Sequence, residues 1–354
     1  MQQDTMMNAR MICLSAAVLL AAQPLTAAGQ GCEPIRFTTP VNLGGQDEAY
    51  QPANEWQLTL AYRRLVSGDW FIGTTESPDR APGGKSPVFS IHTVVADVAY
   101  SINDRYRLKI SVPVSAGSLK RTWPDGEEHE QTATGIGDIS VMGEAWLLRP
   151  LTHTRGNIAV GFGLKAPTGS HTIGSKFYSA SGAVDFPADQ TIQPGDGGWA
   201  LIAQARAFRQ VSERVHGYAF GSYMASPKAK SNVEWVPGSG QFWSVPDVYS
   251  ARAGAAVSVL PEQGLTLSLG GRIDGIPVHD LIGGGDDDTI KRTAYVIFAD
   301  PGMSFSSGRS IVTLSVPYRL KVNRVKSLLE QRTDMLNAGG FAKHVIFASY
   351  THRL

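Results

Sequence analysis

From about residue 55 to its last residue, this chain repeats stretches of about ten residues in which apolar and polar side chains alternate strictly. That period of two belongs to strands with one wet face. In Tyr106 to Ser115, Tyr106, Leu108, Ile110, Val112 and Val114 share one face, while Arg107, Lys109 and Ser111 share the other. A helix would scatter both sets around its axis.

The pattern returns in Trp56, Leu58, Leu60 and Tyr62 against Gln57, Thr59 and Arg63, and in Ile158, Val160, Phe162 and Leu164 against Ala159, Gly161, Gly163 and Lys165. It returns again in Leu265, Leu267, Leu269 and Ile273 against Thr266, Ser268, Arg272 and Asp274, and in Val312, Leu314, Val316 and Tyr318 against Thr313, Ser315 and Arg319. Weaker members bring the expected total to about 12 strands, near 55–65, 90–102, 105–115, 136–148, 157–167, 198–209, 215–225, 247–259, 264–275, 293–305, 309–322 and 342–354. Short connections (Asn103-Asp104, Pro261-Glu262-Gln263, Ser306-Ser307-Gly308) alternate with long ones (Val66 to Phe89, Ala116 to Gly135, Thr168 to Gly197, Ser226 to Pro246). The expected fold is therefore all-β: a transmembrane antiparallel up-and-down barrel with long extracellular loops and short periplasmic turns. A soluble β-sandwich alternates too, but it does not account for long charged side chains on the polar faces and Tyr and Trp near strand ends.

The N-terminus points to the same compartment. Arg10 precedes the apolar run Met11 to Leu20, and Thr26-Ala27-Ala28 suits signal-peptidase cleavage, so residues 1–28 read as a signal peptide. Gln23 and Pro24 interrupt the apolar run before it reaches the length of a membrane-spanning helix. Residues 29–53 form a polar segment, periplasmic or plugging the lumen, and 54–354 form the barrel. The expected location is the bacterial outer membrane. Of the two cysteines, Cys13 lies in the leader, which leaves Cys32 without an internal disulfide partner.

Several strings mark strand ends: Tyr62-Arg63 followed by Trp70-Phe71-Ile72-Gly73, Gly135-Ile136-Gly137-Asp138, and Gly163-Leu164-Lys165-Ala166-Pro167-Thr168-Gly169. Later come Ile192-Gln193-Pro194-Gly195-Asp196-Gly197-Gly198-Trp199, Val245-Pro246-Asp247, Gly271-Arg272-Ile273-Asp274-Gly275-Ile276-Pro277-Val278 and Asp300-Pro301-Gly302. In this order the strings resemble the outer-membrane family labelled for the meta-pathway of phenol degradation. The resemblance implies uptake of small, often aromatic molecules and supplies no catalytic residue. By local chemistry the Gly, Pro and Asp positions serve tight paths at strand ends.

Enzyme signatures such as G-x-S-x-G, H-E-x-x-H and paired C-x-x-C are absent from the sequence. Gly161 to Ala166 spells a dinucleotide fingerprint, but it lies within an alternating strand with no helix after it. No catalytic residue, cofactor or metal is assigned, and a net charge of +1 gives no reason to expect nucleic acid. The expected lumen, or substrate path, is lined by Arg63, Arg107, Lys109, Lys165, Arg206, Arg252, Arg272, Arg319 and Lys321, against Asp97, Glu144 and Asp274. That is a positive excess of about six. The expected function is a channel or transporter for small, aromatic or anionic solutes; a barrel-embedded hydrolase and a structural or surface-binding barrel are the alternatives. Expected partners are those solutes, outer-membrane lipids and, during insertion, the barrel-assembly machinery.

Overall fold

A computed structural model describes residues 30–31, 50–77, 86–283, 288–334 and 338–354. The leader lies outside the described residues, as does all of 29–53 except Gln30–Gly31 and Tyr50–Ala53.

The expected strands all form. We number them β1 (Trp56–Ile72), β2 (Val88–Ser101), β3 (Tyr106–Thr122), β4 (Glu128–Ile136 continued by Ser140–Trp146), β5 (Gly156–Lys165) and β6 (Ala200–Gln210). The second half holds β7 (Val215–Ala225), β8 (Val248–Leu260), β9 (Leu265–Ile276), β10 (Ala294–Ser307), β11 (Ser310–Ser315 continued by Tyr318–Arg324) and β12 (Gly339–Arg353). Each pairs antiparallel with the next, and β12 returns to β1 from Gln57 opposite Arg353 to Phe71 opposite Gly339, which closes the barrel. Closure leaves the barrel no sheet edge, which is the condition for strands to cross lipid.

Facing follows the alternation. Leu108, Ile110, Val98, Val141, Phe162, Leu201, Leu269 and Leu314 are exposed on the outer wall, whereas their chain neighbours point inward and are covered. Trp56 and Tyr100 meet at a centroid distance of 4.7 Å near the short-turn end of this belt. On the other side Tyr62 hydrogen-bonds His92 across 2.8 Å. An exposed apolar band with aromatic groups near its margins is the lipid-facing surface of an outer-membrane barrel, and the chain is one.

The short turns are built locally. The Asn103 side-chain oxygen accepts from the amides of Arg105 and Tyr106 at 2.9 and 2.8 Å, and Gly264 closes the turn after Pro261–Gln263 at φ 72°. The long connections are less loop-like than the sequence suggests. Ala116 to Gly135, read from sequence as a loop, is mostly a hairpin: β3 and β4 stay paired as far as Thr122 opposite Glu128. Beyond the lipid belt the faces exchange character. Lys120 points outward and exposed, while Leu119, Phe89, Ile91, Leu65 and Phe298 turn inward and form an apolar core with Phe341 and loop residues Ala188 and Ile192. Outside this core a three-stranded sheet combines Lys230–Glu234, Phe242–Ser244 and Thr289–Ile290, and a hairpin pairs Gly174–Ser179 with Gly182–Pro187.

Candidate functional site

Below the apolar core the lumen holds a chamber. Its wall carries Arg63, Thr93, Lys109, Ser111, Asp138, Gln204 and Ser250 together with Met142, Phe220, Met224, Val248 and Phe347. A smaller space shares Arg63, Thr93, Pro113 and Asp138 with it and is roofed by Thr191–Pro194. Apolar walls with a few converging polar groups are the usual makeup of a small-molecule site.

The residues expected to line the path fall into three groups. Lys109 and Arg63 face the chamber. Among the described residues Lys109 has no hydrogen-bond or ion-pair partner, and Arg63 donates to the Thr93 hydroxyl at 3.0 Å.

A second group is tied into the wall. Arg107 and Arg206 converge on Glu144 at 3.1 and 2.5 Å, and Gln204 donates to the same carboxylate at 3.0 Å. Arg252 meets Asp300 at 3.1 Å. Arg272 meets Asp274 at 2.7 Å, and Ser250 donates to the other oxygen of that carboxylate at 2.6 Å. Arg319 reaches Asp69 at 2.7 Å and also donates to the carbonyls of Phe341 and Ala342. Lys165 is fully buried between Asp138 and Asp196, at 3.0 and 2.5 Å. Strand alternation alone did not reveal the acids Asp69, Asp138, Asp196 and Asp300, which take up most of the expected positive excess.

The third group is a correction. Lys321, assigned to the lumen, is exposed on the outer face opposite Ile297. A bulge places Arg319 opposite Phe298 and Lys321 opposite Ile297, so one extra residue reverses the facing that simple alternation gives.

Three of the strings noted in the sequence meet at Lys165. Asp138, in the break between the two parts of β4, accepts the Gly169 amide at 2.9 Å and the Asp196 amide at 3.2 Å. Asp196 accepts the Gly198 amide at 2.9 Å. A Cβ at Gly195 would collide with the Gly169 carbonyl, so the two backbones approach closely only because both positions are glycine. The knot turns the connection between β5 and β6 inward and sets Ile192 and Pro194 against β3 and β4. The sequence displayed each string but not their convergence.

The short-turn mouth is narrowed by Tyr50. Its ring packs edge-on against Trp146 and Phe208 at 4.9 and 5.4 Å. Its hydroxyl donates to the His153 carbonyl at 2.6 Å and accepts from Asn157 at 3.0 Å. Trp146 and Phe208 lie on inward faces, and Arg206 covers the Trp146 ring at 4.4 Å. Tyr50→Ala is expected to raise single-channel conductance while the heat-dependent gel mobility of the barrel stays unchanged. Conductance equal to that of the unmodified protein would place the narrowest point elsewhere.

No family model and no curated protein sequence matches the chain, so the phenol-degradation label rests on the sequence strings alone. Solved structures do match. An outer membrane channel from Pseudomonas putida F1 superposes with a TM-score of 0.61 over 90% of this chain and 100% of its own, at 12% identity. At that identity the match speaks for the barrel fold. A FadL homologue of Pseudomonas aeruginosa (12% identity, 92% of this chain and 97% of its own, TM-score 0.43) and the Pseudomonas putida toluene transporter TodX (12% identity, 92% and 96%, TM-score 0.40) superpose less well. Their solutes say nothing about this chain.

Proposed function

We propose that this barrel is an outer-membrane channel for small organic anions with an apolar or aromatic body. The observation that carries the reading is the chamber, which sets the Lys109 ammonium and the Arg63 guanidinium among Met142, Phe220, Met224 and Phe347. In a narrow passage walled by low-dielectric protein, two such cations attract a carboxylate and repel cations. The apolar wall accepts the rest of the solute, and an Arg face stacks on an aromatic ring. The apolar core on one side and Tyr50 on the other bracket the chamber, which favours selective passage over general sieving.

The test is a reversal potential in planar bilayers under a salt gradient. Anion selectivity is expected, and replacing Arg63 and Lys109 together with Glu should reduce or invert it. Arg107→Glu should change selectivity less, because Arg107 already shares Glu144 with Arg206. Cation selectivity in the unmodified protein, or an unchanged potential in the double variant, would refute the reading.

A further inference from the structure

The short turns of the barrel contain arginine and no lysine: Arg105, Arg149, Arg155, Arg214 and Arg309 occupy them, with Arg209 at the adjoining end of β6. Arg149, Arg155, Arg209, Arg214 and Arg309 are exposed. Among the described residues no ion pair engages them. Two of the five, Arg155 and Arg209, lie side by side. The Gln210 amide donates to the Arg155 carbonyl at 2.6 Å, Arg209 stands opposite Gly156, and a Cβ on Gly156 would lie 3.0 Å from the Arg209 Cδ. The stem of Arg209 therefore runs across Gly156, beside Arg155. Arg149 belongs to the same turn, the longest on this side of the barrel. Among the acids of this rim, Asp104 and Glu262 lie on other turns, Glu55 precedes β1, and Glu213 stands on the β6–β7 turn four positions after Arg209.

The same turn and the turn that follows β6 also carry exposed apolar side chains. Leu147, Leu148 and Val211 are exposed, and Leu151 at the turn's tip is 82% exposed. Arg209 shares the lipid-facing side of β6 with Leu201. Leucines that enter the acyl boundary beside planar, bidentate donors at headgroup depth match one ligand class.

We propose that Arg149, Arg155 and Arg209 form a binding site for the phosphodiester headgroup of an anionic phospholipid in the leaflet on the short-turn side. The inference depends on the membrane barrel and is independent of what the channel carries. Each guanidinium donates to phosphate oxygens, and Leu147, Leu148 and Leu151 bury against the glycerol and upper acyl region. The site fixes the depth and tilt of this side of the barrel.

The full chain, purified in detergent, is incubated with equal phosphatidylglycerol and phosphatidylcholine, and retained lipid is read by native mass spectrometry. The unmodified protein is expected to retain phosphatidylglycerol preferentially. A variant with Arg149→Gln, Arg155→Gln and Arg209→Gln should lose that preference by about tenfold or more. Arg309→Gln, on the distant turn between β10 and β11, should keep it. Heat-dependent gel mobility reports that each variant is folded. Equal preference in the triple variant and the unmodified protein would overturn the proposal. So would stabilisation by inorganic phosphate alone that matches the phosphatidylglycerol effect, since the site would then recognise a free anion instead of a lipid.

Discussion

Ile110→Arg is expected to lower the folding stability of the barrel by about 2–4 kcal/mol, the cost of setting an arginine at the middle of the lipid face. Ile110 is 41% exposed, and its cross-strand neighbours Val98 and Val141 share the outer wall with it. Its cross-strand neighbours on that face offer the guanidinium no polar partner, and a charge held mid-strand against lipid is costly. Ser111→Arg, one position on, should fold nearly as well as the unmodified protein, because Ser111 lines the chamber with Asp97 and Ser140 as its cross-strand neighbours. Urea titration of folding into lipid vesicles distinguishes the two. Equal midpoints for both variants would mean that β3 is not read with the correct face toward lipid.

Lys165→Met should cost about 3–5 kcal/mol, the penalty for leaving buried carboxylates without their counter-charge. Lys165 is 0% exposed and bridges Asp138 to Asp196, which lie 27 and 31 positions from it in the chain. Its loss leaves two acids in the knot that holds the β5–β6 connection inward. The connection should then become sensitive to added protease between residues 168 and 199 while the strands below it stay resistant. Adding Asp138→Asn and Asp196→Asn to the Met variant should recover much of the lost stability, since the uncompensated charges go with the cation. A Lys165→Met barrel with the stability and protease resistance of the unmodified one would show that the inward turn is held by packing of Ile192 and Pro194 alone.

These two substitutions probe different kinds of information. The facing of Ile110 is written in five consecutive odd and even positions, because side chains along a strand point alternately to its two sides whatever the rest of the chain does. The anchor at Lys165 is not legible in that way. Its own strand shows an inward lysine and nothing more; its partners come from a break in β4 and from the connection that precedes β6. They become neighbours only when both strands flank β5 and the connection folds back.

What the sequence by itself determined is therefore local: the number of strands, their facing within the lipid belt, the alternation of short and long connections, and an exported compartment. A period of two and a set of turn residues are properties of ten residues at a time, so they survive being read without the fold. Only the tertiary structure decided which inward charges are neutralised, because Arg319 and Asp69 are 250 positions apart and meet through closure of β12 on β1. It decided the facing of Lys321, where a bulge adds one residue and reverses every side chain after it. It decided that the inward face turns apolar beyond the lipid belt, where no bilayer imposes a pattern and packing of Phe89, Leu119 and Phe298 does. And it placed Tyr50 between Trp146 and Phe208, since which side chain fills a mouth depends on three-dimensional proximity, which alternation along a strand does not encode.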